Sequence, residues 1–409
     1  MANVLLTPRT LGQEVLSHLE NDLVVANMVN TDYSKEFVSV GDTIDVERPQ
    51  RFVGQSNNLD VTGYNEDLIG GKFPLQIDTT ETVKFQIDPL DLTLSVMDNK
   101  IQQKYIMPAV TKLKDRVEQE LGQLYKSFWN FSGTPGTPPA TFLSLATNGT
   151  ILTNGAIPMS DRLAFHNPNA SLSLANSLTG VFVQGMAKTA LEQATMGKYG
   201  GFMNFESVHM PIHTVGDHGG TPLVAGAAQG VTYEASRDTN SQTLNTDGWT
   251  NSTTGLLLEG DVITLAGVYS VNPITRQSTG RLQDFVLNAD ANSDGAGLSA
   301  LNISPAIITS GAFQTVTVAP VDNAVITVKT GAANSQNAQS ILMHKDAMTL
   351  VTRALKIPKT LKSHTVSGNR MTISVTEDGN FDNLQNQWRL DMLFKVDSLL
   401  REYGSRLTS

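Results

Sequence analysis

Gly260-Asp261-Val262-Ile263-Thr264-Leu265-Ala266-Gly267-Val268-Tyr269-Ser270-Val271-Asn272-Pro273 is the stretch on which the architecture turns. Its β-prone run, 262–271, is the longest of a series, followed by 285–287, 313–318 and 324–329. Threonine, asparagine, serine and glycine rise across 231–331 and the helical period disappears. Short strands with turn-rich gaps predict a small all-β barrel or sandwich. Two Gly/Ala-rich stretches, 216–230 and 331–335, bracket it as linkers. Mixed helical character resumes at Ile341, which is the pattern of one domain inserted into another.

Working outward, 162–165 reads as a strand running into Asn167-Pro168. Residues 181–196 read as a helix ended by Gly197, and 207–211 as a strand stopped by Pro211. The strongest helix signal covers 98–129. Ile101, Tyr105, Ala109, Leu113, Val117, Leu121, Leu124 and Phe128 recur at helical spacing, while Lys112, Lys114, Arg116, Glu118 and Glu120 keep the other face wet. Such a rod would be roughly 45–50 Å long. Pro108 inside it predicts a kink or a second helix start, and the Gly/Pro-rich run 133–139 breaks the chain into a loop.

Before that helix, Phe73, Leu75 and Ile77 alternate with polar residues, 78–81 makes a turn, and Val83, Phe85 and Ile87 alternate again. This reads as a hairpin with no third strand nearby, and an isolated hairpin is marginal in water. It needs a partner. At the N-terminus Thr7 can cap a helix with Pro8 in its first position. Leu11, Val15, Leu19 and Leu23 form its apolar stripe, and a strand over 39–46 stops at Pro49.

The chain has 409 residues, 40% hydrophobic and 17% charged, an ordinary globular composition with room for two or three domains. It contains no cysteine, which excludes disulfides and thiolate metal sites. The start lacks the pattern of a secretion signal, and no stretch reaches the roughly 18 apolar residues of a membrane span. A soluble, cytoplasmic protein is expected. A net charge of −10 argues against specific nucleic-acid binding. One stretch runs the other way: Arg353, Lys356, Lys359, Lys362 and Arg370 stand together without a carboxylate. It is either a solvated face or a surface apposed to nucleic acid or to an acidic neighbour.

Four constellations imitate chemistry. His209, His213 and His218, with Asp217, lack a spacing that puts any pair on one helical face, so they read as polar loop residues. Asp290, Asn292 and Asp294 with Gly295 match the first half of a calcium loop and are the candidate metal ligands. Leu301 stands where the bidentate glutamate is required, so the same residues read rather as a hairpin turn, which Asn, Asp and Gly favour. Gly295 to Ala300 imitates a dinucleotide fingerprint, but no helix pattern follows. A polysaccharide-active enzyme would need paired carboxylates, for which Glu206 with Asp217 and Glu377 with Asp378 are the groupings available. No catalytic residue and no cofactor is predicted.

In order along the chain, these features resemble the major capsid (coat) proteins of tailed phages. The 41–44 strand resembles that family's arm-to-loop transition, and 162–168 resembles its strand and Asn-Pro turn before a helix. The 260–273 run, with 282–286 and 303–307, resembles the inserted β domain of the short-tailed temperate phage type. The resemblance implies an α+β, tailed-phage capsid fold (HK-97-like). It implies an N-terminal arm (1–49), an extended loop (50–88), a peripheral domain with the spine helix (89–139), a peripheral/axial domain (140–230 and 340–409) and the inserted barrel (231–339). It further implies self-assembly into pentamers and hexamers of an icosahedral shell, with scaffolding protein and portal as partners. DNA would be enclosed without sequence-specific binding, and no membrane is involved. The hairpin would then meet a neighbouring subunit through Leu75, Ile77, Val83 and Phe85. A tail or surface-layer building block is the alternative of the same structural class.

Overall fold

The computed structural model describes residues 8–35, 43–54, 62, 66, 69–87, 107–178, 197–358, 360–368, 370–379 and 385–409. The chain divides into two compact units. The first holds Met1–Ile44, Pro74–Leu121 and Met348–Asp397, and the second holds Asp45–Phe73, Gly122–Ala347 and Ser398–Ser409.

The first unit is built on an antiparallel sheet of five described strands. Thr349–Arg353, Asn386–Asp397, Thr372–Gly379 and Lys362–Ser367 follow in that order, and Thr79–Ile87 pairs with Asn386–Asp397. The arm helix, Pro8–Asp22, packs on Lys362–Ser367 and Thr372–Gly379. Its predicted stripe is buried at Leu11, Val15, Leu19 and Leu23. The approach is close at Gly12, where a Cβ would stand 2.7 Å from Val366 Cγ2. The predicted cap Thr7, and most of the 39–46 strand, lie outside the described residues; the described part is Thr43–Glu47.

Here the structure corrects the hairpin. Thr79–Ile87 is a strand, but its partner is Asn386–Asp397, in register from Thr79↔Phe394 to Ile87↔Asn386. The preceding strand, Lys72–Gln76, pairs instead with Thr43–Glu47. Alternation reports only that a strand has one buried face; it carries no information on which strand lies beside it. Leu75 is fully buried and Ile77 is 2% exposed within the single chain, whereas Val83 and Phe85 are half-buried.

The spine helix is described as Met107–Gln123, with Pro108 in the first turn of that segment; residues 98–106 lie outside the described residues. It tightens into a 3-10 turn, Leu124–Ser127, before an extended Phe128. That change of period rotates the stripe, so Tyr125 is buried where Leu124 was expected. Glu118 is a second correction. Rather than facing water it is fully buried, and it accepts the backbone N–H groups of Val24 (2.9 Å), Val25 (3.0 Å) and Ala26 (3.2 Å). These are donors freed where the arm helix has ended and the chain turns.

The second unit contains a mixed sheet of seven described strands. Asn130–Gly133, Gly404–Thr408, Gln336–His344, Arg162–His166, Phe202–Glu206 and Lys198–Tyr199 follow in order, with Ile212–Thr214 also on Gln336–His344. Arg162–His166 is buried throughout. Asn167 then caps helix Pro168–Leu178, its Oδ1 accepting from Ala170 N at 2.7 Å, so Asn-Pro is a cap and first turn. Helix Phe142–Asn154, capped by Thr141, carried no periodic signal strong enough to be read. The expected strand over 207–211 is the turn between Phe202–Glu206 and Ile212–Thr214. The helix expected over 181–196 lies outside the described residues.

The other sheet of this unit is a barrel of six strands. The order is Ile326–Val328, Val262–Val271, Ser278–Leu287, Ser299–Ser304, Gln242–Trp249 and Gly220–Val224. It closes through the Leu223↔Val325 bridge and a hydrogen bond from Val224 N to Ala324 O (3.0 Å), which removes its free edges. Leu244, Trp249, Leu265, Phe285, Leu301 and Ile326 are among the side chains filling it. Gly220–Val224 falls inside the 216–230 stretch expected as a linker. Its glycine serves close approach: a Cβ on Gly220 would collide with the Gly248 carbonyl, and both have positive φ (+91° and +72°). Residues 313–318 supply the Ser270↔Val316 bridge rather than a full strand.

Candidate functional site

The candidate calcium loop is a surface turn in which Asp290, Asn292 and Asp294 are all exposed. Asp290 Oδ1 accepts from Glu259 N (2.8 Å) and Asn292 Oδ1 from Gly255 N (2.7 Å). Asp294 Oδ1 accepts from Ala296 N and Leu298 N, both at 2.8 Å, and those backbone bonds hold its carboxyl below the usual carboxylate range. One oxygen of each side chain is thus engaged by backbone donors, those of Asp290 and Asn292 by the 255–259 segment and that of Asp294 within its own turn. Among the described residues no group of three or more His, Cys, Asp or Glu side chains could hold a metal.

The three histidines have separate roles. His218 bonds the Gly331 carbonyl (3.0 Å), and His209 lies in the turn after Phe202–Glu206. His213 is buried at the centre of a network that sequence reasoning did not find, because its members lie far apart along the chain. Its Nε2 stands 2.9 Å from Asp261 Oδ1 and its Nδ1 2.8 Å from the Tyr125 hydroxyl. A carboxylate only accepts, so Nε2–H donates to Asp261, and Nδ1 shares its hydrogen bond with the Tyr125 hydroxyl. Asp261 also takes bonds from Thr330 (2.7 Å), Leu258 N (2.8 Å) and Gly216 N (3.0 Å). Burial alone would push its carboxyl up, but the bonds from His213 and Thr330 hold it below the usual range. In connectivity the chain imitates a catalytic relay. Burial, however, pushes the Tyr125 hydroxyl up to about 12, so it is no nucleophile at neutral pH.

Asp284 accepts from Phe131 N (3.0 Å), Lys329 (3.1 Å) and Arg281. Close by, Arg406 is fully buried, with its guanidinium 5.5 Å from the Tyr125 ring centre and 5.7 Å from that of Phe131. None of its three nitrogens has a hydrogen-bond partner among the described residues. Burial pushes it down to about 10, against the pull of Tyr125, Asp261 and Asp284. This polar layer links barrel residues to the mixed sheet within the second unit.

The carboxylate groupings are likewise spent locally. Asp217 accepts from Asn334 (2.7 Å), Asp378 from the Gly379 backbone (2.9 Å), and Glu377 stands opposite Lys362 in the sheet. In the basic stretch, Arg370 donates to the Val29 (3.0 Å) and Ala26 (3.3 Å) carbonyls beside the arm. Lys356 and Lys362 are exposed, and Lys359 lies outside the described residues.

The second unit also has a cleft of about 290 Å³, lined among others by Arg48, Arg51, Tyr233, Phe313 and Glu402. The Tyr233 and Phe313 rings stack 3.7 Å apart and 5° from parallel. Arg51 Nη2 is 3.5 Å from Glu402 Oε1, and the Arg48 guanidinium lies 4.0 Å over the Phe73 ring. Arg48 Nε and the Tyr233 hydroxyl are buried without a hydrogen-bond partner among the described residues.

The family described as "P22 coat protein - gene protein 5" matches residues 7–408. Among solved structures, the chain is similar to one of Mycobacterium phage Che8 at 11% identity, covering 94% of this chain and 90% of that one, with a TM-score of 0.47. The capsid structure of cyanophage P-SCSP1u is similar at 10% identity over 93% and 85%, TM-score 0.44. The CUS-3 coat protein I-domain is 23% identical over 28% of this chain and 98% of its own, TM-score 0.20. No curated protein sequence matches.

Proposed function

The chain belongs to the P22 coat protein family, and on that premise we propose how a major capsid protein of this construction builds its shell. The family match across residues 7–408 carries the reading: the protein is a virion component that assembles with copies of itself. The assembling units are pentamers and hexamers. A scaffolding protein guides them in the host cytoplasm, a portal occupies one vertex, and DNA is enclosed without sequence-specific contacts. Residues 50–88 serve as the extended loop, 89–139 as the peripheral domain, and 140–230 with 340–409 as the peripheral/axial domain. The inserted barrel, expected over 231–339, takes its closing strand from Gly220–Val224 ahead of that range, and is expected to fold as a module with its own core.

For the neighbour contact, Val83 and Phe85 are favoured over Leu75 and Ile77, since half-buried side chains retain apolar area to cover and fully buried ones do not. Coexpression with and without the scaffolding protein is the test. Closed shells of uniform size should form with it, and aberrant or few particles without it. Identical uniform shells in both cases would remove the scaffolding protein from the account.

A further inference from the structure

We propose that the cleft between Arg48, Arg51 and Glu402 receives an acidic side chain from a neighbouring copy of this chain. The inference rests on the shell-building reading and adds a specific contact to it.

Every group involved belongs to the second unit. Charge comes first. Two guanidiniums, Arg48 and Arg51, face one carboxylate, Glu402, and the ion pair between Arg51 and Glu402 is long at 3.5 Å. The other charges of the lining, Arg281 and Asp284, are already paired with each other and with Lys329. The site is therefore short of negative charge. Arg48 Nε and the Tyr233 hydroxyl add two buried donors with no acceptor among the described residues. Buried donors seek acceptors, and a carboxylate supplies several lone pairs at once.

The rim distinguishes a protein from a nucleic acid. Phe52 (59% exposed), Val53 (45%) and Ile274 (76%) stand beside the cleft, and Arg276 Nη2 ties the two segments by donating to Phe52 O at 3.0 Å. The stacked faces of Tyr233 and Phe313 cover one another, and Arg51 lies 5.6 Å from the Phe313 ring, so Phe313 is held between a ring and a guanidinium and is closed to a base. Apolar side chains around a recessed charged centre are the anatomy of a protein contact. The partner's sign is set by composition: with 39 acidic against 29 basic residues, a second copy presents mostly negative surface.

The test replaces Arg51→Lys, retaining the charge and adding an amine that a zero-length carbodiimide can couple to a carboxylate with loss of water. Shells are assembled from mixed isotopically light and heavy subunits, treated with nuclease, cross-linked and digested. A light–heavy peptide pair joining position 51 to an acidic residue is expected in shells and absent from unassembled subunits. Links confined to Glu402 of the same chain, or none, would overturn the proposal; so would protection of the amine that disappears with nuclease. Should the lysine variant fail to assemble, Arg51→Gln decides the matter. Its shells should come apart at a several-fold lower salt concentration than wild type, with the subunit melt unchanged. Equal salt tolerance overturns the contact. Formation of shells is scored separately, so a missing cross-link in intact shells leaves the capsid reading standing.

Discussion

Replacing Glu118 by alanine should remove a large part of the first unit's stability. In the native chain its carboxylate takes up three consecutive backbone donors, Val24, Val25 and Ala26, at 2.9–3.2 Å, and the side chain has no exposure to water. Hydrogen bonds to a charged acceptor are worth about 1.5–3 kcal/mol each, and an abandoned buried donor costs about 1–3 kcal/mol. The three are not additive, since water can enter the space left, so the loss is about 3–5 kcal/mol. Domains hold only about 5–15 kcal/mol in total. Glu118→Gln keeps one oxygen, and Oε1 makes contact with all three donors, so it should cost about 1–2 kcal/mol. Urea unfolding followed at Trp388, buried in the first unit, gives the energies, and limited proteolysis gives the protection of the arm. An alanine variant within about 1 kcal/mol of wild type with a fully protected arm would refute the capping role.

Burial holds His166 neutral, its pKa lowered from 6.5 to about 4 against the opposing effect of the bond it donates to Asn204 Oδ1. The unfolded chain therefore binds a proton first, and on the order of 3 kcal/mol of stability is lost as pH falls from 6.5 toward 4. His166→Gln should flatten the denaturation midpoint across that window, and an unchanged slope would count against it. Arg406→Met should be neutral or stabilising by up to about 2 kcal/mol, since a buried guanidinium without hydrogen-bond partners is replaced by an apolar chain. A loss above about 2 kcal/mol in thermal melts would show that its contacts with the Tyr125 and Phe131 rings outweigh the burial cost. Ile77→Asp should destabilise the subunit by about 3 kcal/mol or more, because the side chain is 2% exposed. Phe85→Asp should cost the subunit less and damage shells instead; equal melts for the two variants would contradict this.

What the sequence made legible is the set of periodic faces. The arm stripe Leu11–Val15–Leu19–Leu23 and the spine positions Ala109, Leu113, Val117 and Leu121 are buried as read. The run 262–271 is a strand at the place expected. Pairing was not legible. Thr79–Ile87 finds Asn386–Asp397 far along the chain, and nothing in local alternation could distinguish that from a hairpin. Polar networks were hidden for the same reason. Glu118 looks like one more charge on a wet helix face until the turn at Val24–Ala26 is placed against it. His213, Asp261 and Tyr125 meet only in three dimensions. The barrel's closing strand, Gly220–Val224, was masked by composition, since the glycine that permits close approach also reads as a linker.

The central claim is that this chain builds a closed shell, and electron cryomicroscopy of particles purified after coexpression with the scaffolding protein tests it most directly. The account predicts closed icosahedral particles of uniform diameter, resolved into pentamers and hexamers of this chain. A stable monomer under every partner and salt condition, or open tubes and flat lattices in place of shells, would contradict it.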